Sequence, residues 1–309
     1  MDGWSECHMN QKIANCSLAL TWALGLAGGA AANTPSSVDG VVRVEGTKPG
    51  TGGTGTLIGI SQAGDDLRLA VLSADHTLQR VGALTTIGFG DASAPKLDLS
   101  AASAANVKIF DKGPDGTEDM AVIGLTFRWS DLSSSPQTYL SGLAPFAVVA
   151  APSNPPFTFL ATGFGKSGPV TSYGTQQQFA NVANTYFTLT AGSYTSDANG
   201  NPLVYTQQML GWTYNAPDSG DWVPGEGAGY GGYSGSPLVL SGSVVGIQSS
   251  GSDVVDGQTS IGLRMTDAYA NWVNATASAY VSPVPEPGEW TLMLTGGLCM
   301  ARRARRAQL

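Results

Sequence analysis

The 309-residue sequence predicts an all-β protein: paired antiparallel barrels followed by one C-terminal helix. Three observations carry this. Only 12 % of residues are charged, while 41 glycines and 17 prolines punctuate the chain, a composition of short strands joined by many turns. Apolar or alternating runs of strand length recur in two series, separated by a polar break. Neither heptads nor strand–helix alternation appears, so a parallel sheet is not expected.

The first series reads "VVRV" (41–44), "GTLIGI" (55–60), "LRLAVLS" (67–73), "LTTIGFG" (84–90), "NVKIF" (106–110) and "MAVIGL" (120–125), each bounded by Gly, Pro, Asp or Ser. The break is "SDLSSSPQT". The second series begins with "FAVVAA", "FTFLATGFG", "QQQFANV" and "TYFTLT". It resumes with "SPLVLSG", "SVVGIQSSG" and "SIGLRM" after a Gly-, Asn- and Asp-rich stretch from Ala191 to Gly232. Within that stretch the insert 191–224 carries Trp212, Tyr214 and Trp222, which can gate a cleft or pack on a barrel. The helix is "TDAYANWVNATASAY", with Thr266 placed to cap it and Tyr269, Trp272, Val273 and Ala277 near one face.

Both ends read as addresses. From Met9, where translation is expected to start, one lysine precedes an apolar stretch and the small residues Ala30, Ala31 and Ala32. That pattern is a secretory signal peptide over residues 1–32. The tail "VPEPGEWTLMLTGGLCMARRARRAQL" joins a Pro-Glu-Pro triplet, an apolar segment too short to span a bilayer comfortably and four arginines. It resembles the PEP-CTERM sorting tail of Gram-negative bacteria, with Pro285, Glu286 and Pro287 as the recognition triplet. The resemblance implies processing by an exosortase-type transpeptidase, transient membrane association through residues 281–309, and an extracellular or cell-surface destination. An ordinary membrane anchor is the alternative.

Cys7, Cys16 and Cys299 all fall in these end segments, so residues 33–283 contain no cysteine and must rest on their core. That region has 19 acidic and 10 basic residues, a net charge of −9 and no basic cluster, which disfavours nucleic acid as a partner.

His76 ends the run "LAVLSADH". With His8 upstream of Met9, it is the only imidazole available to a base-assisted serine nucleophile. A lone histidine at a strand end is also an ordinary structural residue. Asp119 in "EDMAVIGL" precedes an apolar strand, where a carboxylate can be buried against an imidazole N–H. Ser234 in "GGYSGSPLVL" sits in a tight turn before a strand, a place that suits a nucleophile and equally an ordinary turn.

In order along the chain, these pieces resemble the trypsin-like (chymotrypsin-fold) serine proteases. "LSADH" is similar to that family's histidine strand, "EDMAVIGL" to its aspartate segment and "GYSGSP" to its nucleophile motif. "GTGTLIG", "TGFG", "VVGIQSSG" and "IGLRMTDAYANWV" fall where the family has counterparts. The resemblance implies two antiparallel six-stranded barrels, residues 33–136 carrying the histidine and aspartate and residues 137–280 carrying the serine and the terminal helix. It also implies a serine endopeptidase that cleaves a peptide or protein substrate without metal or organic cofactor. His76 would be general base, Asp119 its orienting carboxylate and Ser234 the nucleophile. The N–H groups of Gly232 and Ser234 would form the oxyanion hole. Ala228 would be the floor of the specificity pocket, Ser249, Ser250 and Gly251 the strand beside it that pairs with substrate backbone, and Ser260 a pocket wall.

The neutral Ala228 implies a small or apolar preference, unless a two-residue slip puts Glu226 there. Tyr233 replaces the family's aspartate before the nucleophile, so no charge-pair activation switch is expected. It also leaves open a catalytically inactive, protease-fold binding or matrix protein. Ser236 breaks the Gly-x-Ser-x-Gly pattern of an α/β-hydrolase.

Overall fold

The computed structural model describes residues 39–48, 51–90, 95–99, 107–167, 173–189, 193–196, 199–251 and 255–282, all in the unit Pro35–Leu309. The leader and the Pro285, Glu286, Pro287 triplet lie outside these residues. Among the described residues no helix is long and apolar enough to cross a membrane.

The first series forms β1 (Val41–Gly46), β2 (Gly52–Ala63), β3 (Asp66–Ser73), α1 (Asp75–Val81), β4 (Leu84–Phe89), β5 (Lys96–Asp98), β6 (Val107–Phe110) and β7 (Ala121–Arg128). Its strands hydrogen-bond in the order β5-β4-β1-β2-β3-β7-β6, every pair antiparallel. β3 shows why these strands read as unbroken apolar runs. Its side chains alternate between faces, and both faces are covered. Leu67, Leu69 and Val71 enter the interior of the first sheet with Leu57, Ile87 and Ile123. Ala70 and Leu72 face a second layer that holds Val244, Ile247 and Leu263 of the other sheet and Val273 of the terminal helix.

The polar break contains a 3-10 turn (Trp129–Asp131) and α2 (Ser134–Ser141). The second series then forms β8 (Ala147–Val148), β9 (Phe157–Gly163), β10 (Lys166–Ser167), β11 (Gln177–Ala183), β12 (Thr185–Leu189), β13 (Ser193–Ser196), β14 (Pro202–Val204), β15 (Gln207–Thr213), β16 (Gly229–Tyr230), β17 (Pro237–Leu240), β18 (Ser243–Ser250), β19 (Thr259–Arg264) and α3 (Asp267–Val281). The main path is β11-β9-β17-β18-β19-β15-β12, with β8 added parallel to β18. Phe159, Phe179, Leu210, Trp212, Tyr233 and Leu238 fill its interior.

The layout is two curled antiparallel half-barrels with a C-terminal helix, in keeping with a chymotrypsin-like double barrel. Among the described residues the sheets have seven and eight strands rather than six each, because the three-residue β5 is too short to show a period and β15 lies within the Gly-, Asn- and Asp-rich stretch. A strand, β15, runs through the stretch read as an insert, and Trp212 on it is fully buried against Phe159 (ring centroids 5.2 Å). Trp222 is about one-third exposed.

α3 is capped by Thr266, whose hydroxyl accepts from Tyr269 N–H (3.2 Å). It buries Tyr269, Ala270, Val273 and Ala277. Its last turn belongs to the first sheet: Tyr280 meets Phe110 edge-on at 6.1 Å and bonds Thr126 (2.8 Å), while Arg68 donates to the Ser282 carbonyl (3.0 Å). The helix therefore clasps both sheets.

Candidate active site

His76 lies in the first turn of α1 and not at the end of a strand. α1 is seven residues long, too short to be stable alone. Burial of Leu78 and Val81 holds it against the sheet, with Thr77 N–H bonded back to the Ala74 carbonyl (3.1 Å). Asp119 directly precedes β7 and is completely buried. Its carboxylate accepts the His76 backbone N–H at 2.9 Å, and His76 Nδ1 lies 2.7 Å from Oδ2. The Ser249 hydroxyl donates to the same Oδ2. With Nδ1 carrying the proton toward Asp119, Nε2 is left as the basic atom.

Ser234 lies in the turn between β16 and β17. Its carbonyl accepts from Thr54 N–H (2.9 Å) and from the hydroxyl of Thr77 (3.3 Å), the residue after the histidine. Its own hydroxyl is turned to the Ser249 carbonyl at 3.4 Å. Ser249 thus touches both Asp119 and Ser234, and the fold brings together His76, Asp119 and Ser234 from three segments.

The turn is built to be rigid. Gly232 has φ +106°, a conformation side chains rarely adopt, and its Cα faces Gly165 and the Tyr173 ring. Its carbonyl accepts from Thr54 Oγ1 (2.9 Å), and the N–H groups of Gly235 and Ser236 bond Gln248 O and Tyr233 O (2.8 Å each). Among the described residues, neither the Gly232 nor the Ser234 N–H donates to a protein acceptor. Tyr173 packs on Gly232 and hydrogen-bonds the Gly53 carbonyl (3.3 Å). Burial, with the nearby Glu45 charge, raises its hydroxyl's pKa.

Tyr233 is completely buried inside the second half-barrel. Its hydroxyl donates to Gln177 O (3.2 Å) and its ring lies 5.5 Å from that of Phe179. Gly163, Gly165 and Gly229 line the ring so closely that a Cβ on any of them would collide with it. The residue that replaces the expected aspartate therefore anchors the nucleophile turn by packing.

Two features had no sequence signal. The segment 205–207 is laced onto residues 117–119: Thr206 N–H donates to Thr117 O (3.0 Å) and Gln207 Oε1 accepts from Asp119 N–H (2.6 Å). Beside it, Tyr205 donates to the carboxylate of buried Asp75 (2.9 Å). Burial raises the Asp75 pKa, and the bonds from Tyr205 and Gln79 oppose the shift. The other feature is Gln248, whose buried side chain donates from Nε2 to the Gly229 carbonyl and lies close to Gly251.

Ala228 and Ser260 are buried, Ser260 opposite Trp212 on β15, and Ser250 lies at a bulge in β18. Glu226 does not enter this group. Its carboxylate accepts Asn215 N–H (2.6 Å) and Val223 N–H (2.9 Å), which fixes the loop behind β15.

No family model and no curated protein matches the sequence. Among solved structures, human heparin binding protein matches with 15% identity and a TM-score of 0.44, over 80% of this chain and 94% of that one. The scabies mite inactivated protease paralogue S-D1 matches with 15% identity and a TM-score of 0.47, over 79% and 94%. Neither likeness transfers an activity to this chain.

Proposed function

We propose that the chain is an exported serine endopeptidase. One observation carries the reading: the buried Asp119 carboxylate fixes the His76 ring through Nδ1, and the Ser234 turn is hydrogen-bonded to the residue beside that histidine. In the reaction Ser234 Oγ leaves the Ser249 carbonyl, gives its proton to His76 Nε2 and attacks the scissile carbonyl. The oxyanion takes the N–H groups of Gly232 and Ser234. His76 then protonates the leaving amine, the acyl group stays on Ser234, and water activated by His76 releases it.

Export through the leader, sorting of the Pro285-Glu286-Pro287 tail by an exosortase-type enzyme and a cell-surface destination belong to the same proposal and rest on the sequence. The test is labelling of the purified full-length protein with a fluorophosphonate probe, beside Ser234→Ala and His76→Ala. Labelling lost in both variants is expected. A folded wild type that does not label would favour the inactive binding-protein reading instead.

A further inference from the structure

We infer that Gln248 determines which residue this site cleaves after, and that it selects an uncharged carboxamide side chain, glutamine or asparagine, on the acyl side of the scissile bond. The inference rests on the endopeptidase reading and names its substrate class.

Directly opposed residues of an antiparallel pair present their side chains on the same face of the sheet. Gln248 on β18 pairs with Gly262 on β19, Gly262 pairs with Leu210 on β15, and Ser260 pairs with Trp212. Gln248, Leu210, Trp212 and Ser260 therefore share one face. Leu210 and Trp212 belong to the apolar interior of the second half-barrel, so that face is inward.

The tip of the Gln248 side chain lies between the two backbone segments that flank the nucleophile. Nε2 donates to the Gly229 carbonyl, and a Cβ built on Gly251 would collide with that carbonyl and lie 2.7 Å from Nε2. The two segments abut, with the Gln248 amide against both, so a side chain that parts Gly229 from Gly251 meets that amide.

The chemistry waiting there is specific. Gln248 Oε1 is a buried acceptor without a hydrogen-bond partner, and Trp212 Nε1 on the same face is a buried donor without one. Buried polar groups are rarely left in this state in native proteins, and a ligand that satisfies them is favoured over one that does not. A carboxamide carries one donor and one acceptor at its tip, the complement of these two groups.

A charged side chain is disfavoured. Ala228 supplies no charge, the Glu226 carboxylate is held by Asn215 and Val223, and Arg264, on the same face, is turned onto the Tyr186 ring 4.4 Å away. An aliphatic side chain would leave the amide and the indole N–H unpaired.

The experiment uses the purified full-length protein and fluorogenic peptides that differ only at the residue before the scissile bond, with fluorophosphonate labelling run in parallel. Glutamine and asparagine peptides are expected to give kcat/KM roughly ten- to hundredfold above leucine, lysine and glutamate peptides. Gln248→Met, of similar length, is expected to bring the glutamine-to-leucine ratio down to about one or below. Gln248→Glu is expected to shift the preference toward lysine. A wild type that labels but cleaves leucine, lysine or glutamate peptides as fast as glutamine ones overturns this inference alone, and that comparison needs no variant to fold. Retention of the glutamine preference in folded Gln248→Met overturns it too. Absence of labelling overturns both this inference and the endopeptidase reading.

Discussion

The backbone N–H and the ring Nδ1 of His76 both end on the carboxylate of Asp119, at 2.9 and 2.7 Å. One buried side chain thus fixes the start of α1 and the tautomer of the imidazole together, and substitution can separate the two roles. In Asp119→Asn the amide oxygen still accepts the backbone N–H, so the fold is expected to persist. The amide NH₂ turned to Nδ1 would place the imidazole proton on Nε2, where it cannot accept one from Ser234. A kcat loss of about 10³- to 10⁴-fold with little change in KM is expected, by analogy with triad carboxylates generally. Steady-state kinetics beside a thermal melt checks it. A large drop in Tm with unchanged kcat per folded molecule would make Asp119 a structural residue only.

Gln207 holds the backbone of the same aspartate. Its Oε1 is the acceptor for the Asp119 N–H at 2.6 Å, and both residues are buried. Gln207→Leu removes that buried acceptor, a cost of about 1–3 kcal/mol. A lowered midpoint in denaturant at unchanged slope is expected, together with a smaller activity loss than in Asp119→Asn. Equal stability of variant and wild type would show that the segment 205–207 is not a brace.

The contrast between Asp119 and Gln207 shows what the sequence could reveal. Asp119 was legible because it heads an apolar strand and stands in order between a histidine and a serine. Gln207 was not, because its role is a contact across 88 positions that leaves no local pattern. Gln248 stayed hidden for a related reason. A polar residue inside "VVGIQSSG" looks like the solvent-facing member of an alternating strand until the second half-barrel is seen to close over it. The strands of "LRLAVLS" and "SVVGIQSSG" were plain because both of their faces are buried. α1 was missed because seven residues with a histidine and a threonine have little helical preference of their own, and tertiary packing decides their state. Tyr233 departs from the resemblance in the sequence itself, and its consequence becomes legible only with the glycines that surround it.

Those glycines make Tyr233 a sensitive position. Tyr233→Phe removes the hydroxyl that bonds Gln177 O and keeps the ring, at about 0.5–1.5 kcal/mol for that bond, and is expected to label with fluorophosphonate nearly as fast as wild type. Tyr233→Ala opens a cavity under the nucleophile turn at a cost of about 3–5 kcal/mol. Below its own melting temperature its labelling is expected to fall well beyond the unfolded fraction, since Gly232 and Ser234 lose the ring that fixes them. Labelling of Tyr233→Ala that simply tracks the folded fraction would remove Tyr233 from any part in ordering the oxyanion hole.

Asp75 makes stability depend on pH in a direction opposite to that of most paired carboxylates. Burial raises its folded-state pKa above the ordinary value of 3.8, and nearby Asp119 adds to the rise, against the bonds from Tyr205 (2.9 Å) and Gln79 (3.3 Å). A raised folded pKa means that the native chain binds more protons than the unfolded chain between the two values. The contribution of Asp75 to stability is therefore greatest at or below the unfolded pKa. It declines as pH rises through the folded value and is constant above it. Asp75→Asn removes the ionisation and keeps an oxygen to accept from Tyr205. The Tm of the variant relative to wild type is expected to climb between about pH 4 and neutrality, where the wild type must hold a buried charge. Thermal melts of both proteins in parallel buffers measure that difference directly. A wild-type-minus-variant difference that stays flat, or that grows in favour of wild type toward pH 7, would mean that the Tyr205 and Gln79 bonds outweigh burial and hold Asp75 as a stabilising anion.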